Sequence, residues 1–273
     1  MVTDDVIVPA ASLEVAALTD VGTERDHNED ACGAVIEGGV ALAVVADGVS
    51  SSQGGEVASE MAVEVVLRAY REDHSSRPVG QRLYRAVQQA NIEIYDRSIA
   101  VPELRGMATT LVALAVEAGQ LTAVHVGDSR LYLVRGGKVV QVTKDHTVAA
   151  ERVRMGVLSA EKARTHPERS TLTRSVGREL IVNRDRLSQP LEQGDILVAC
   201  SDGLYNVLAD EELGAIAAAA PGAADACREL LEAANARGTG DNLSAAVVRI
   251  VGATPAGPRA PGLAARLKAL LGR

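Results

Sequence analysis

The chain has no phenylalanine and no tryptophan, and its 5 tyrosines are the only aromatic residues in 273 positions. A ring platform for stacking nucleobases is therefore nearly unavailable. The core must be built from Val, Leu, Ile and Ala. Excess positive charge is missing too. The formal net charge is −8, with no basic stripe, which argues against nucleic acid and anionic membrane surfaces as partners. Cysteine is scarce: Cys32, Cys200 and Cys227 lie far apart with no Cys-x-x-Cys pair, so neither a zinc site nor a disulfide framework is indicated. Cys200, closing the run ILVAC, reads as a small buried hydrophobe. No apolar run approaches the roughly 18–20 residues of a membrane span. The opening residues MVTDDVIVPAAS carry acid where a signal peptide carries base. These absences lead us to expect a soluble, cytoplasmic protein.

What is present is ample apolar material. At 47% hydrophobic, the chain can bury a substantial core in one large domain or two small ones. Strands are expected at LEVAALTD (Leu13 to Asp20), ACGAVIE (Ala31 to Glu37), VALAVVAD (Val40 to Asp47), TTLVALAVE (Thr109 to Glu117) and LTAVHVGD (Leu121 to Asp128). RLYLV and KVVQVT flank Gly136-Gly137, a two-residue hairpin signal. DILVAC and LSAAVVRIV add two late strands. Apolar residues at spacings of three and four predict long helices over Glu56 to Glu72 and Val79 to Ile99. Shorter helices are expected near Val148 to Met155, Ala160 to Arg164, Glu211 to Ala219 and Ala223 to Ala236. Hairpin pairings dominate over β-α-β alternation, so the class is α+β with largely antiparallel sheets. Residues 1–12 read as an N-terminal extension and 13–251 as the main domain. In 252–273, GATPAGPRAPG reads as a Pro/Gly linker. The basic amphipathic segment LAARLKALLGR follows; it is either a frayed terminus or a docking element.

One pattern recurs. Apolar segments end on an aspartate beside Gly or Ser: Asp47 in VVADGVSSSQGGEVAS, Asp128 in VHVGDSR, Asp202 in VACSDG. Asp241 sits in GTGDN just before a strand, and Asn28-Glu29-Asp30 precedes another. A single Asp-Gly is an ordinary turn dipeptide. Several carboxylates gathered at one sheet edge would repel one another, and no lysine follows them. Divalent cations relieve such repulsion, and an all-oxygen donor set suits Mg²⁺ or Mn²⁺ rather than Zn²⁺. Gly48 would let a backbone carbonyl approach an ion closely. Arg25, in DVGTERDHNED, offers the guanidinium fork that suits a phosphoryl group, although a surface ion pair is the usual fate of an arginine. Convergence of these strand ends is an inference from pattern alone.

The segments DVGTERDHNED, VVADGVSSSQGGEVAS, GMATTLVALAV, VHVGDSRLYLVRGGKVVQVTKDHT, THPERSTLTRSVG, LVACSDGLYNVL and GTGDNLSAAVV occur in order from Leu13 to Val251. Together they resemble the PPM-type (type 2C) metal-dependent Ser/Thr protein phosphatases of the bacterial branch. The resemblance implies a four-layer α-β-β-α sandwich of two mainly antiparallel sheets flanked by helices, with a metal cluster at one edge. It implies that Asp47 bridges two Mn²⁺ or Mg²⁺ ions and that the Gly48 carbonyl binds the second. Asp202 and Asp241 would bind the first, and Asp128 with Asp202 a third, weaker ion. Glu29 and Asp30 would hold metal-bound waters, and Arg25 the phosphate. Met155 to Thr171 lies where the family carries a flap. The implied reaction is hydrolysis of phosphoserine and phosphothreonine by direct attack of a metal-bridging hydroxide. The implied partners are phosphoproteins made by a bacterial Ser/Thr kinase, met by a monomer. No Cys-x₅-Arg nucleophile loop, HExxH, G-x-S-x-G or P-loop pattern competes.

The chain departs from the family in three places. Val49-Ser50-Ser51-Ser52 stands where bacterial relatives commonly have Met-Gly-Gly-His, and Val49 cannot serve as a general acid. Ala108 and Gly240 replace a usual Gly and Pro. His27 and His146 lie near motif segments and suit acid–base work, although a surface or structural histidine is the default. Two alternatives stand beside the main reading: a catalytically weak phosphoprotein-binding relative, and a regulatory phosphatase specific to one partner.

Overall fold

The computed structural model describes residues 7–10, 13–49 and 54–252. Among these residues eleven strands run in chain order: β1 Ile7–Ala10, β2 Leu13–Asp20, β3 Asp30–Glu37, β4 Val40–Asp47, β5 Leu111–Glu117, β6 Gln120–Val126, β7 Arg130–Arg135, β8 Lys138–Gln141, β9 Asp185–Pro190, β10 Ile196–Cys200 and β11 Leu243–Ile250. The helices are α1 Gly55–Glu72, α2 Val79–Ala100, α3 Val148–Arg154, α4 Ala160–Ala163, α5 Asp202–Tyr205, α6 Asp210–Ala219 and α7 Ala223–Ala236. A turn of 3₁₀ helix, Pro102–Leu104, follows α2. The basic segment after Gly252 and Ser50 to Ser52 lie outside the described residues.

The strands form two sheets, ordered β1-β2-β11-β10-β7-β8 and β3-β4-β5-β6-β9. Every ladder among the described residues is antiparallel. The period of 2 explains why β4 is buried on both faces. Leu42, Val44 and Ala46 pack against α1 and α2, through Ala58, Ala62, Val66, Leu83 and Val87. Ala41, Ala43 and Val45 point the other way, into the layer between the sheets with Leu114, Leu197 and Val248. The outer face of the first sheet, with Val198, Ala245 and Val247, is covered by Leu213, Leu230 and Ala234 of α6 and α7. The result is the expected α-β-β-α sandwich. Its core is aliphatic, each fully buried Val or Leu contributing roughly 1.5–3 kcal/mol.

Three expectations need adjustment. TTLVALAVE becomes strand only from Leu111; Thr109 instead makes isolated bridges to Gly48 and Val176. Two strands, β1 and β9, were not expected, and β1 lies within the N-terminal twelve residues and pairs with β2. The short helix α5 begins on Asp202, where sequence pattern suggested only a strand end.

Candidate metal and phosphate site

The antiparallel register brings the aspartates to one edge. The end of β4 and the start of β3 meet as the pair Asp30–Asp47. The end of β6 and the start of β5 meet at Val126–Leu111. In the other sheet, the end of β10 meets the starts of β7 and β11 at Cys200–Arg130 and Cys200–Ala245, and the end of β2 meets β11 at Asp20–Leu243. Asp128 lies in the connection from β6 to β7, Asp202 just after β10 and Asp241 just before β11. All therefore belong to the same end of the sandwich.

The electrostatics agree with that placement. Burial pushes the Asp47 carboxyl well above its usual range, and the charges of Asp30, Asp202, Asp128 and Asp241 push the same way. Asp128 is raised to about 8 by burial, with Asp202 and Asp145 adding to it. Asp30 rises to about 7 through burial, against the lowering effect of the Ser201 hydroxyl that bonds it. Asp202 rises to about 6 through burial and the charge of Asp241. Desolvated carboxylates that repel one another are an unfavourable arrangement unless a cation joins them. An all-oxygen donor set of this charge fits a hard divalent ion. Among the described residues, no three Asp, Glu, His or Cys side chains close into a metal cage by themselves. Waters would have to complete a coordination shell.

Small residues and side-chain hydrogen bonds hold the edge in shape. Gly48 donates its N–H to the Glu29 carbonyl at 2.9 Å. A Cβ on Gly48 would lie 2.5 Å from the Gly55 backbone and 2.6 Å from the Glu29 carbonyl. The Thr110 amide and the Thr109 hydroxyl both donate to the Asp47 carbonyl, at 2.8 and 2.9 Å. The Ser201 hydroxyl donates to Asp30 at 2.5 Å and accepts from the Ser244 amide at 2.9 Å. Asn242, missed in the sequence, closes the 20–30 loop. Its Nδ2 donates to the carbonyls of Val21 and His27, both at 2.9 Å, and its Oδ1 accepts from the Glu29 amide at 2.8 Å. The one available signal was an Asn placed next to a candidate ligand.

Arg25 reaches the cluster. Its Nη2 lies 2.9 Å from Asp241 Oδ1, and its Nε donates to the Gly240 carbonyl at 3.2 Å. Both side chains of the pair are more than a third exposed, so the guanidinium remains open to a ligand. Glu29 contributes its backbone to the Gly48 turn, and its carboxylate lies against Gly55. Arg130, also missed, pairs with Asp145 through Nε and Nη2 and lies 3.7 Å over the Tyr205 ring. The Tyr205 hydroxyl in turn donates to the Asp128 carbonyl at 3.0 Å.

The two candidate histidines sit in different surroundings. His27 is exposed and contributes its carbonyl to Asn242. His146 is 2% exposed, its ring bonded to the Gly127 amide. The expected flap region carries α4 and is closed at its base by the bridge between Thr147 and Leu172.

The protein phosphatase 2C family model matches residues 23–248. The serine/threonine phosphatase stp of Listeria monocytogenes serotype 4b is 35% identical over 235 residues, 84% of this chain and 93% of that protein. The protein phosphatase PhpP of Streptococcus pneumoniae is 33% identical, covering 86% and 97%. Among solved structures, the Mycobacterium tuberculosis serine/threonine phosphatase PstP/Ppp superposes with a TM-score of 0.79 at 32% identity, covering 88% of this chain and all of that one. A structure of the PstP catalytic domain in complex with 2 manganese ions superposes at 0.76 and 31% identity, covering 88% and 99%. With its carboxylate edge, its Arg25 and these matches along most of its length, the chain belongs to the protein phosphatase 2C family and is a metal-dependent protein phosphatase.

Proposed function

We propose that the enzyme removes phosphate from phosphoserine and phosphothreonine in proteins, and that its substrates are the products of a bacterial Ser/Thr kinase. The reading is carried by one observation: Asp30, Asp47, Asp128, Asp202 and Asp241 share one end of the sandwich, where burial and neighbouring carboxylates raise the first four, with Arg25 beside them. Asp47, Asp202, Asp241 and the Gly48 carbonyl would hold two Mn²⁺ or Mg²⁺ ions. Asp128 would serve a third, and Glu29 and Asp30 would hold waters. Bound ions supply an acidified water and neutralise charge on the phosphoryl oxygens. Arg25 binds and orients the phosphoryl group. No side chain serves as a covalent nucleophile. Residues 13–251 would form the catalytic domain, working as a cytoplasmic monomer.

The deciding experiment is hydrolysis of a phosphothreonine peptide with and without Mn²⁺, for wild type and Asp47→Asn. Manganese-dependent turnover that the substitution abolishes is the expected result. Folded wild-type protein that is inert with Mn²⁺ and with Mg²⁺ would refute the reading.

A further inference from the structure

Next to the carboxylate edge lies a polar cluster built on two buried histidines, which takes no part in the chemistry above. His125 on β6 and His146, between β8 and α3, stack with ring centroids 4.7 Å apart. His146 grips one residue twice. Its backbone N–H donates to the Gly127 carbonyl at 2.8 Å, and its Nδ1 accepts from the Gly127 N–H at 3.1 Å. On its far side, Nε2 lies 3.3 Å from Asp185 Oδ2 and 3.1 Å from Arg174 Nη1. Arg174 Nη1 also donates to Asp185 Oδ1 at 2.9 Å.

These contacts favour one tautomer, since Arg174 also has Asp185 as an acceptor and the Gly127 amide has the His146 ring. A guanidinium has no acceptor, and a neutral imidazole that accepts at Nδ1 carries its proton at Nε2. Of the two groups facing Nε2, only Asp185 can take that proton. Nδ1 is thereby kept as an acceptor for Gly127.

Gly127 has a φ of 101°, and a Cβ there would lie 2.7 Å from the Thr110 side chain. It is the residue immediately before Asp128, so the residue that fixes its peptide groups fixes the direction of the Asp128 backbone. His146 also anchors the α3–α4 segment, because its carbonyl accepts from the Thr173 amide at 2.8 Å. Val148 and Thr171, on the two sides of that segment, are bonded at 2.9 Å.

We propose that His146 is the positioning residue of Asp128, holding both polar groups of Gly127 and tying that turn to the base of the α3–α4 segment. This rests on the reading of Asp128 as a metal ligand. Partners that orient a ligand are typically worth tenfold to a hundredfold in metal affinity.

The test compares wild type, Asp128→Asn, His146→Asn and His146→Gln. Mn²⁺ binding is measured by calorimetry and the Gly127 amide by hydrogen exchange. Asparagine can place an acceptor near the Nδ1 position, whereas glutamine carries its amide further out and leaves Gly127 unpaired. Asp128→Asn is expected to remove the weakest Mn²⁺ binding step. His146→Gln should weaken that step about tenfold or more and speed Gly127 exchange, and His146→Asn should largely restore both. Loss in Asp128→Asn with wild-type binding in His146→Gln overturns the proposal alone. Wild-type Mn²⁺ binding in Asp128→Asn removes the metal reading of that residue and the proposal with it. If the glutamine variant does not fold, ring nitrogen shifts of wild-type His146 decide: an Nε2–H tautomer is expected, and an Nδ1–H tautomer overturns it.

Discussion

Asp30 and Asp47 stand directly opposite each other as the last cross-strand pair of β3 and β4. Like charges in that position destabilise a hairpin, and a folded protein tolerates them where they serve a ligand. Asp47→Asn should therefore do two opposite things. Turnover with Mn²⁺ should fall by more than about a hundredfold, the loss seen when one electrostatic stabiliser is removed. In EDTA the same variant should melt about 2–4 °C higher, as expected for roughly 1 kcal/mol of relieved repulsion. Thermal melts and peptide assays on one preparation check both. A lower melting temperature would contradict the repulsion argument.

Arg25→Ala should act on binding more than on chemistry. Loss of a charged hydrogen bond to phosphate is worth about 1.5–3 kcal/mol, so KM for a phosphothreonine peptide should rise about tenfold to a hundredfold while kcat changes less. Steady-state kinetics at saturating Mn²⁺ decide this. An unchanged KM takes Arg25 out of the phosphate site.

Gly48→Ala tests the turn without removing a carboxylate. The added methyl would meet backbone on both sides, at Gly55 and at Glu29. Neither can swing aside as a side chain would. Separation of β4 from α1 should displace Asp47 and lower both the melting temperature and turnover, with circular dichroism still reporting a folded sandwich. Wild-type activity in this variant would mean that the close approach is dispensable.

How far the fold was legible follows from the physics of each element. β4 was read correctly because VALAVVAD is apolar on both faces and ends on a polar residue. α1 was legible because its apolar residues repeat at helical spacing along one side. β9 was not, since DRLSQP is an edge strand with Arg186, Ser188 and Pro190 exposed and only Leu187 offering an apolar side chain. Its strand character comes from pairing with β6, a tertiary effect. At the site, Asp47, Asp128, Asp202 and Asp241 could each be named from a Gly or Ser neighbour, and Asp30 only from the acidic run Asn28-Glu29-Asp30. Asn242 and Ser201 could not, because their value lies in reaching Glu29 and Asp30, more than 170 positions away.

His125 was read only as part of a strand. It is fully buried, and neither ring nitrogen has a hydrogen bond of standard geometry, although the Ser129 backbone acts on it. Burial, helped by His146, lowers its pKa to about 3. The unfolded chain takes up a proton near pH 6.5 and the folded one does not, so this residue's contribution is lost as pH falls from about 6.5 toward 3. Between pH 7.5 and pH 5 the loss is about 2 kcal/mol. The clustered carboxylates shift the other way, so the comparison must be between proteins. In urea denaturation, His125→Leu should lose about 2 kcal/mol less than wild type over that range. Equal losses would contradict the burial of a neutral ring.

The pairing of β2 with β11 joins residues far apart in sequence, Asp20 to Leu243. A growing polypeptide leaving the ribosome carries Asp47 and Asp128 long before Asp241 and its strand have been made. Domains form as units during synthesis, and contacts this distant in sequence form slowly. The nascent chain thus holds most of its aspartates without a site to put them in. On the proposed site, phosphatase activity would begin only when β11 takes its place between β2 and β10, and a prematurely terminated product would be silent, not partially active.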